Sequence, residues 1–443
     1  MRSDQQQAIN RLAGTSATAF LCAVLCVYPL YIDKFSNLGV IKFTGCFTLF
    51  LLFLLWLVAC TAIGARAPRP RNANAGRDVT LWGVLAFAGT SLISTFTSLS
   101  PTASTWGLGG YYGGLMLVLF TAAGYWAVRS YLDLENLDFV FWVLGITTSI
   151  VAVLYVLNIF NIDLIGAYAD TAVVERAQFF STLGQKDFNG CFFSVALPIV
   201  FYQFLNAKDT RTAVWTGIPA AFGALALAVV DSEALALGIG AAGMVLVCHK
   251  NFTTRHLRRA ALISAAFFGW AAWMHYMRAS VYTQGGTALL AKLGAWQVAL
   301  PCMAASLLLW LVLFVLARKG IAAQAPLYLP GRVITIAVLA VGALAFVLAN
   351  AMPNLPLPES LHNLLVFNDD WGTYRGVAWR AAFGTWADGS LLRKIVGIGP
   401  GMMHTAVAAW AGDAMTARMA TFYAAHNEYL EQLLTTGILG LAA

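Results

Sequence analysis

Residues 41–64 read IKFTGCFTLFLLFLLWLVACTAIG, and Lys42 is the one charged side chain in the run. As a helix rising about 1.5 Å per residue, the run reaches about 36 Å, which exceeds the ~30 Å hydrocarbon core of a bilayer. Lipid offers no partner to backbone N–H and C=O groups, so a spanning segment must be a helix or part of a closed barrel. The two-residue alternation of a barrel strand is missing here, which leaves the helix.

Similar runs recur on both sides. Spans are expected at about 13–31, 41–64, 79–96, 111–128, 139–158, 188–206, 214–230, 234–248, 260–277, 294–317, 333–352 and 427–443. The expected fold class is therefore an all-α polytopic integral membrane protein with about twelve transmembrane helices. Composition agrees, since 60% of the 443 residues are hydrophobic and 11% are charged. Soluble domains carry roughly 25% charge. The first run follows Arg2 and Arg11, as in a signal peptide, but no small-residue cleavage site follows its apolar core. It reads as a signal anchor.

The formal net charge is +7. The basic residues cluster between apolar runs, which marks membrane orientation rather than a nucleic-acid partner. With the N-terminus inside, the inner segments collect Arg66–Arg77, Arg255–Arg259 and Arg318–Lys319, while the short outer loops hold Lys34, Lys42, Arg278 and Lys292. This asymmetry places the N-terminus in the cytoplasm. The seven cysteines fall in or beside apolar runs without a C-x-x-C pair, so neither a metal site nor a disulfide is expected.

The expected organisation is a transmembrane body over 1–352, with a cytoplasmic linker at 65–78 and an outer loop at 159–187. A large outer-face catalytic loop follows over 353–426, and then a last span at 427–443. Connections this long are functional or disordered. The chain stops soon after its last apolar residues, which reads as a truncation or as a protein that continues.

Several polar groups invite a chemical reading, each beside a plainer one. Asp231-Ser232-Glu233 is either a tight outer turn or a polar edge of an outward cavity. In the first loop, Arg176 and Lys186 flank Ser181-Thr182-Leu183-Gly184. They suit an anionic head group, or simply a solvated, interfacially anchored loop. In the second loop, Arg375 and Arg380 lie among tryptophans, and Arg375 and Trp379 fall four apart on one helical face. Gly397-Ile398-Gly399-Pro400-Gly401 is a glycine-rich turn without the strand–turn–helix setting of a nucleotide loop. His426 opens the last span near the outer surface, where a lone histidine is commonly structural.

Taken in order, Arg375-x-x-x-Trp379, Gly397-x-Gly399-Pro400-Gly401, His426-Asn427-x-Tyr429-Leu430 and Gly437-x-x-Gly440 resemble the signature region of the bacterial O-antigen ligase and polymerase superfamily. Leu92–Thr95 with Gly109–Leu115, and Ser181–Gly184 with Asn189-Gly190 and Leu197-Pro198, resemble it more loosely. The resemblance implies a metal-independent glycosyltransferase without a cofactor. Such an enzyme moves a glycan from undecaprenyl diphosphate onto a glycan, lipid or protein acceptor at the outer face of the cytoplasmic membrane. It implies His426 and Arg375 as catalytic residues, Arg375 binding the pyrophosphate. Arg176, Arg380, Lys186, Arg278, Asn427 and Tyr429 are candidate substrate-binding residues. One departure is Ser232-Glu233-Ala234-Leu235, where members carry a Ser-Arg-x-Ala-like motif, and Arg176 or Arg278 would take over that phosphate role.

The chemistry is consistent with this. Guanidinium forks hold a diphosphate leaving group by bidentate contact and keep their charge. Histidine can take the acceptor's proton near neutral pH, orient the acceptor, or donate to the diphosphate. Three alternatives remain open at this level: a polysaccharide polymerase of the same superfamily, a lipid-linked glycan transporter or flippase, and a truncated or inactive member of the superfamily. A transporter would show internal repeats or broken mid-membrane helices. The sequence carries no convincing repeat, and its polar residues gather on one side.

Overall fold

A computed structural model describes residues 2–65, 79–230, 232–281, 283, 290–321, 323–352, 355–416 and 422–443. The expected linker at 65–78 lies, apart from Ala65, outside the described residues, as does Asp231.

The described chain is helical, with one short hairpin. In order come α1 (Arg2–Leu30), α2 (Leu38–Ala62), α3 (Val79–Phe96), α4 (Pro101–Trp106), α5 (Leu115–Tyr131) and α6 (Leu137–Ile159). The strands β1 (Phe179–Phe180) and β2 (Gly184–Gln185) pair antiparallel. Then follow α7 (Lys186–Asn206), α8 (Thr210–Val229), α9 (Glu233–Cys248), α10 (Thr254–Ser280), α11 (Trp296–Arg318) and α12 (Tyr328–Ala351). The C-terminal part holds α13 (Glu359–Leu365), α14 (Trp371–Ala387), α15 (Leu391–Val396), α16 (Met403–Thr416), α17 (Glu428–Thr435) and α18 (Gly437–Ala442).

Among the described residues, eight helices are long and apolar enough to cross a membrane. They fall within Asp4–Leu30, Phe35–Ala62, Val79–Phe96, Leu134–Ile159, Lys186–Asn206, Thr210–Val229, Trp296–Arg318 and Tyr328–Ala351. The chain is thus a multi-pass membrane protein. Twelve spans were expected, and the other four segments lie outside this set of eight. Helices α5 and α9 are apolar but have 17 and 16 residues, at the short end of the roughly 17–25 that a crossing takes. Arg255, His256, Arg258, Arg259 and Arg278 lower the mean hydropathy of the 27-residue α10, leaving an apolar stretch between Arg259 and Arg278. Residues 427–443 form no single span, because Gly437 at φ +70° separates α17 from α18.

The chain divides into two compact units. The first comprises Met1–Ala17, Phe50–Leu132 and Leu339–Ala443. Here α14 packs against α16 and α17, α15 against α18, and α18 against α3. Val377, Ala378, Ala381 and Ala382 recur at helical spacing along one stripe of α14. Their small side chains let the backbones approach, as at helix contacts in membranes. Met402, Met403, Val407, Phe422, Ala425 and Leu434 complete this core. The described residues of the region expected as a loop over 353–426 include helices α13–α16, and its core is shared with α17.

The second unit comprises Thr18–Leu49 and Asp133–Val338. Helices α6–α10 pack around Tyr155, Phe193, Leu197, Leu235 and Met274, and α11 packs on α10. Pro198 and Pro219 lie inside α7 and α8, where neighbouring helices can satisfy the freed backbone groups. Lys42, expected in an outer loop, is buried instead. Its Nζ donates to the carbonyls of Tyr28 at 2.5 Å and Pro29 at 2.9 Å, which tie the end of α1 to α2.

Candidate functional site

In the first unit, the motif pieces separated along the sequence assemble into one packed cluster. The turn Gly397–Gly401 lies against the α17–α18 junction. Ile398 N–H donates to Leu434 O at 3.2 Å, and Gly399 N–H to Thr435 O at 2.9 Å. Thr435 O also accepts from Ser94 Oγ on α3 at 2.6 Å, and Pro400 O from Ser104 Oγ on α4 at 3.1 Å. Gly397 at φ +82° and Gly437 at φ +70° face this seam. A Cβ on either would come within 2.3 Å of a carbonyl oxygen, that of Thr435 or Ile395 respectively. These glycines are therefore packing requirements of the seam.

Arg375 sits half-buried in the first turns of α14. Tyr374 before it adopts a left-handed φ of +69°. Gly376 after it admits the carbonyl of Asn368, which a Cβ would overlap at 1.8 Å. Trp379, one turn on, has its ring 5.0 Å from Trp371 and 6.0 Å from Phe367. The buried Trp379 Nε1 has no hydrogen-bond partner among the described residues. Arg380 is engaged elsewhere: it pairs with Asp369 at 2.5 Å to Oδ1 and 2.7 Å to Oδ2.

His426 is exposed and adopts φ +52°. Among side-chain-bearing residues, histidine is one of the few enriched in this left-handed region. Asn427 behind it is the N-cap of α17, its Oδ1 accepting from Tyr429 N–H at 3.1 Å and Leu430 N–H at 3.3 Å. Asn427 is thus committed to starting the helix. Tyr429 stands out, 77% exposed. Helix α14, which carries Arg375, packs on α17, whose N-cap directly follows His426, so both residues belong to one unit.

Two side chains in the His426 neighbourhood were not singled out from sequence. His404 Nδ1 lies 3.0 Å from Phe422 O. A carbonyl only accepts, so Nδ1 carries the proton, and in the neutral ring Nε2 is the acceptor. The His404 ring stacks on Tyr423 at 4.5 Å, and Phe422 meets the His426 ring edge-on at 6.0 Å. Glu431 is the second. Its Oε2 accepts from Ala425 N–H at 2.7 Å. Burial pushes its carboxyl up to about 7; the Ala425 N–H opposes the rise, and the charge of Glu428 adds to it. A glutamate one turn into a helix gives no sequence signal of such a role.

The remaining candidates belong to the second unit. The Arg176 guanidinium lies 5.3 Å over the Tyr168 ring, and its buried Nε has no hydrogen-bond partner among the described residues. Lys186 opens α7 and is exposed, and Arg278 is half-buried near the end of α10. The Ser181–Gly184 turn is closed by its own hydrogen bonds. Asn189, fully buried, bonds Ser181 Oγ at 2.6 Å and the carbonyls of Phe180, Gly184 and Gln185 at 3.0–3.2 Å. Ser232 Oγ donates to Asp187 Oδ1 at 3.2 Å, and Glu233 is exposed at the start of α9. Among the described residues, no group of three or more His, Cys, Asp or Glu side chains is placed to share a metal ion.

Compared with known proteins, the chain matches no family, no curated protein and no solved structure.

Proposed function

We propose that this chain is an O-antigen ligase-like membrane glycosyltransferase. It transfers a glycan from undecaprenyl diphosphate to a hydroxyl acceptor at the outer face of the cytoplasmic membrane, with its own N-terminus cytoplasmic. One observation carries the reading. Arg375 stands on α14, and His426 stands just ahead of α17, which packs on α14, each at or beside a left-handed, non-glycine backbone position. Such positions cost about 1–3 kcal/mol each and cluster at active sites.

In this reading the acceptor oxygen attacks the anomeric carbon as the carbon–oxygen bond to the diphosphate breaks. The bonding pair leaves with the diphosphate, whose charge Arg375 stabilises. The acceptor's proton passes to His426. A guanidinium supplies charge stabilisation without a metal, so transfer is expected to proceed in EDTA.

The test is transfer from an undecaprenyl-diphosphate glycan by the purified full chain in EDTA. His426→Ala and Arg375→Ala are each expected to lower the rate at least about 100-fold. Wild-type rates in both variants would overturn the assignment. No product from wild type, with intact movement of the lipid carrier, would favour a transporter.

A further inference from the structure

The segment 422–427 is held at three points. His404 Nδ1–H holds the carbonyl of Phe422, Glu431 holds the N–H of Ala425, and Asn427 caps α17. His426 lies between the second and third. An ordinary capping box would use the side chain at N3 to reach the N-cap backbone. Here N3 is Leu430, and the reach comes instead from the next residue, Glu431. Its bond passes over His426 to the residue on the far side, so it is not needed to begin the helix.

We infer that Glu431 is the positioning residue for His426: its carboxyl holds the Ala425 N–H and so fixes the left-handed turn that presents the imidazole. The inference rests on the transferase reading for its effect on catalysis, but not for its geometry. Ala425 is fully buried in the α14–α16–α17 core, so its N–H has little access to water as a substitute partner. Losing Glu431 would leave that donor unpaired and free the backbone on one side of His426.

The device is pH-sensitive. Tyr374, Arg375 and Arg380 on α14, Arg393 and Lys394 on α15, and His404 and Asp413 on α16 are the titratable groups of the helices packed on α17, and α18 has none. The charge acting on Glu431 is that of Glu428, four residues from Gln432 and hydrogen-bonded to it. Folded Glu431 titrates near 7 against an ordinary value of 4.5. Its contribution to stability is therefore fully present below about pH 4.5 and is lost as pH rises through about 7. The bond to Ala425 runs the other way. The N–H favours the ionised carboxylate, so the turn tightens as pH rises through the same range.

The experiment uses the full chain in detergent micelles, with Glu431→Gln and Glu431→Ala. Three readouts are taken between about pH 6 and 8. They are amide-exchange protection at Ala425, the rate of His426 carbethoxylation by diethyl pyrocarbonate, and glycan transfer. Glu431→Ala is expected to lose about tenfold or more of the Ala425 protection. It should also alter the His426 modification rate and lower the transfer rate more than the KM. Glu431→Gln keeps an acceptor oxygen but cannot ionise. It should retain transfer while flattening the pH dependence of Ala425 protection. Unchanged Ala425 protection and His426 reactivity in Glu431→Ala would overturn the inference. Changes in both, with no transfer by wild type, would uphold the positioning role and overturn the transferase reading alone.

Discussion

Asn189 shows how much one side chain decides. Its amide and Ser181 Oγ close the tight turn of the β1–β2 hairpin, and Ser181 N–H in turn donates to Asn158 Oδ1 at 2.7 Å. Truncation would leave three backbone carbonyls and a hydroxyl without this partner in a dry interior. Each buried polar group so orphaned costs about 1–3 kcal/mol. Asn189→Ala is expected to destabilise the chain by about 3 kcal/mol or more, read as a fall in the thermal midpoint in detergent. An unchanged midpoint would mean that water replaces the amide. By contrast, the sequence treats Ser181-Thr182-Leu183-Gly184 as a possible head-group cradle. The structure shows the Ser181 hydroxyl bonded to Asn189 and the Thr182 hydroxyl to the Pro29 carbonyl, a matter of direction that residue types do not encode.

At the scale of elements, the α15–turn–α16 and α17–α18 segments meet through glycine. A side chain at Gly437 would both strain a left-handed backbone and press on the Ile395 carbonyl. Gly437→Ala is expected to cost about 1–3 kcal/mol from the backbone alone, with the overlap adding to it. Gly342→Ala on α12, where an added Cβ meets nothing within 4 Å, serves as the control. It should be neutral or stabilising by up to about 1 kcal/mol, since alanine is the better helix former. Equal effects from both substitutions, measured by thermal unfolding, would refute the seam. The helix carrying Arg375 was legible from its spacing. The break between α17 and α18 was not, because hydropathy sums over 427–443 without registering one residue's φ.

For the whole molecule, the eight long apolar helices establish a membrane protein, and the distribution of arginine and lysine sets the proposed orientation. With the N-terminus cytoplasmic, Glu175 lies outside and Lys250 inside, and both side chains are exposed. In a cysteine-free background, Glu175→Cys is expected to react with a membrane-impermeant maleimide on intact cells. Lys250→Cys should react only after lysis. The opposite pattern would invert the topology and remove the outward-facing site with it.

The sequence alone determined that this chain is helical and lies in a membrane. That follows from a local rule: in lipid every backbone group must find its partner within the helix, and each apolar run carries that instruction by itself. It also supplied the ordered motif containing Arg375 and His426. Only the tertiary structure decided what surrounds them. Ser94 reaches Thr435 across 341 positions, His404 reaches Phe422, and Glu431 reaches back across His426 to Ala425. These bonds depend on where a folded backbone aims its carbonyls and N–H groups, and that direction exists only once the helices are packed.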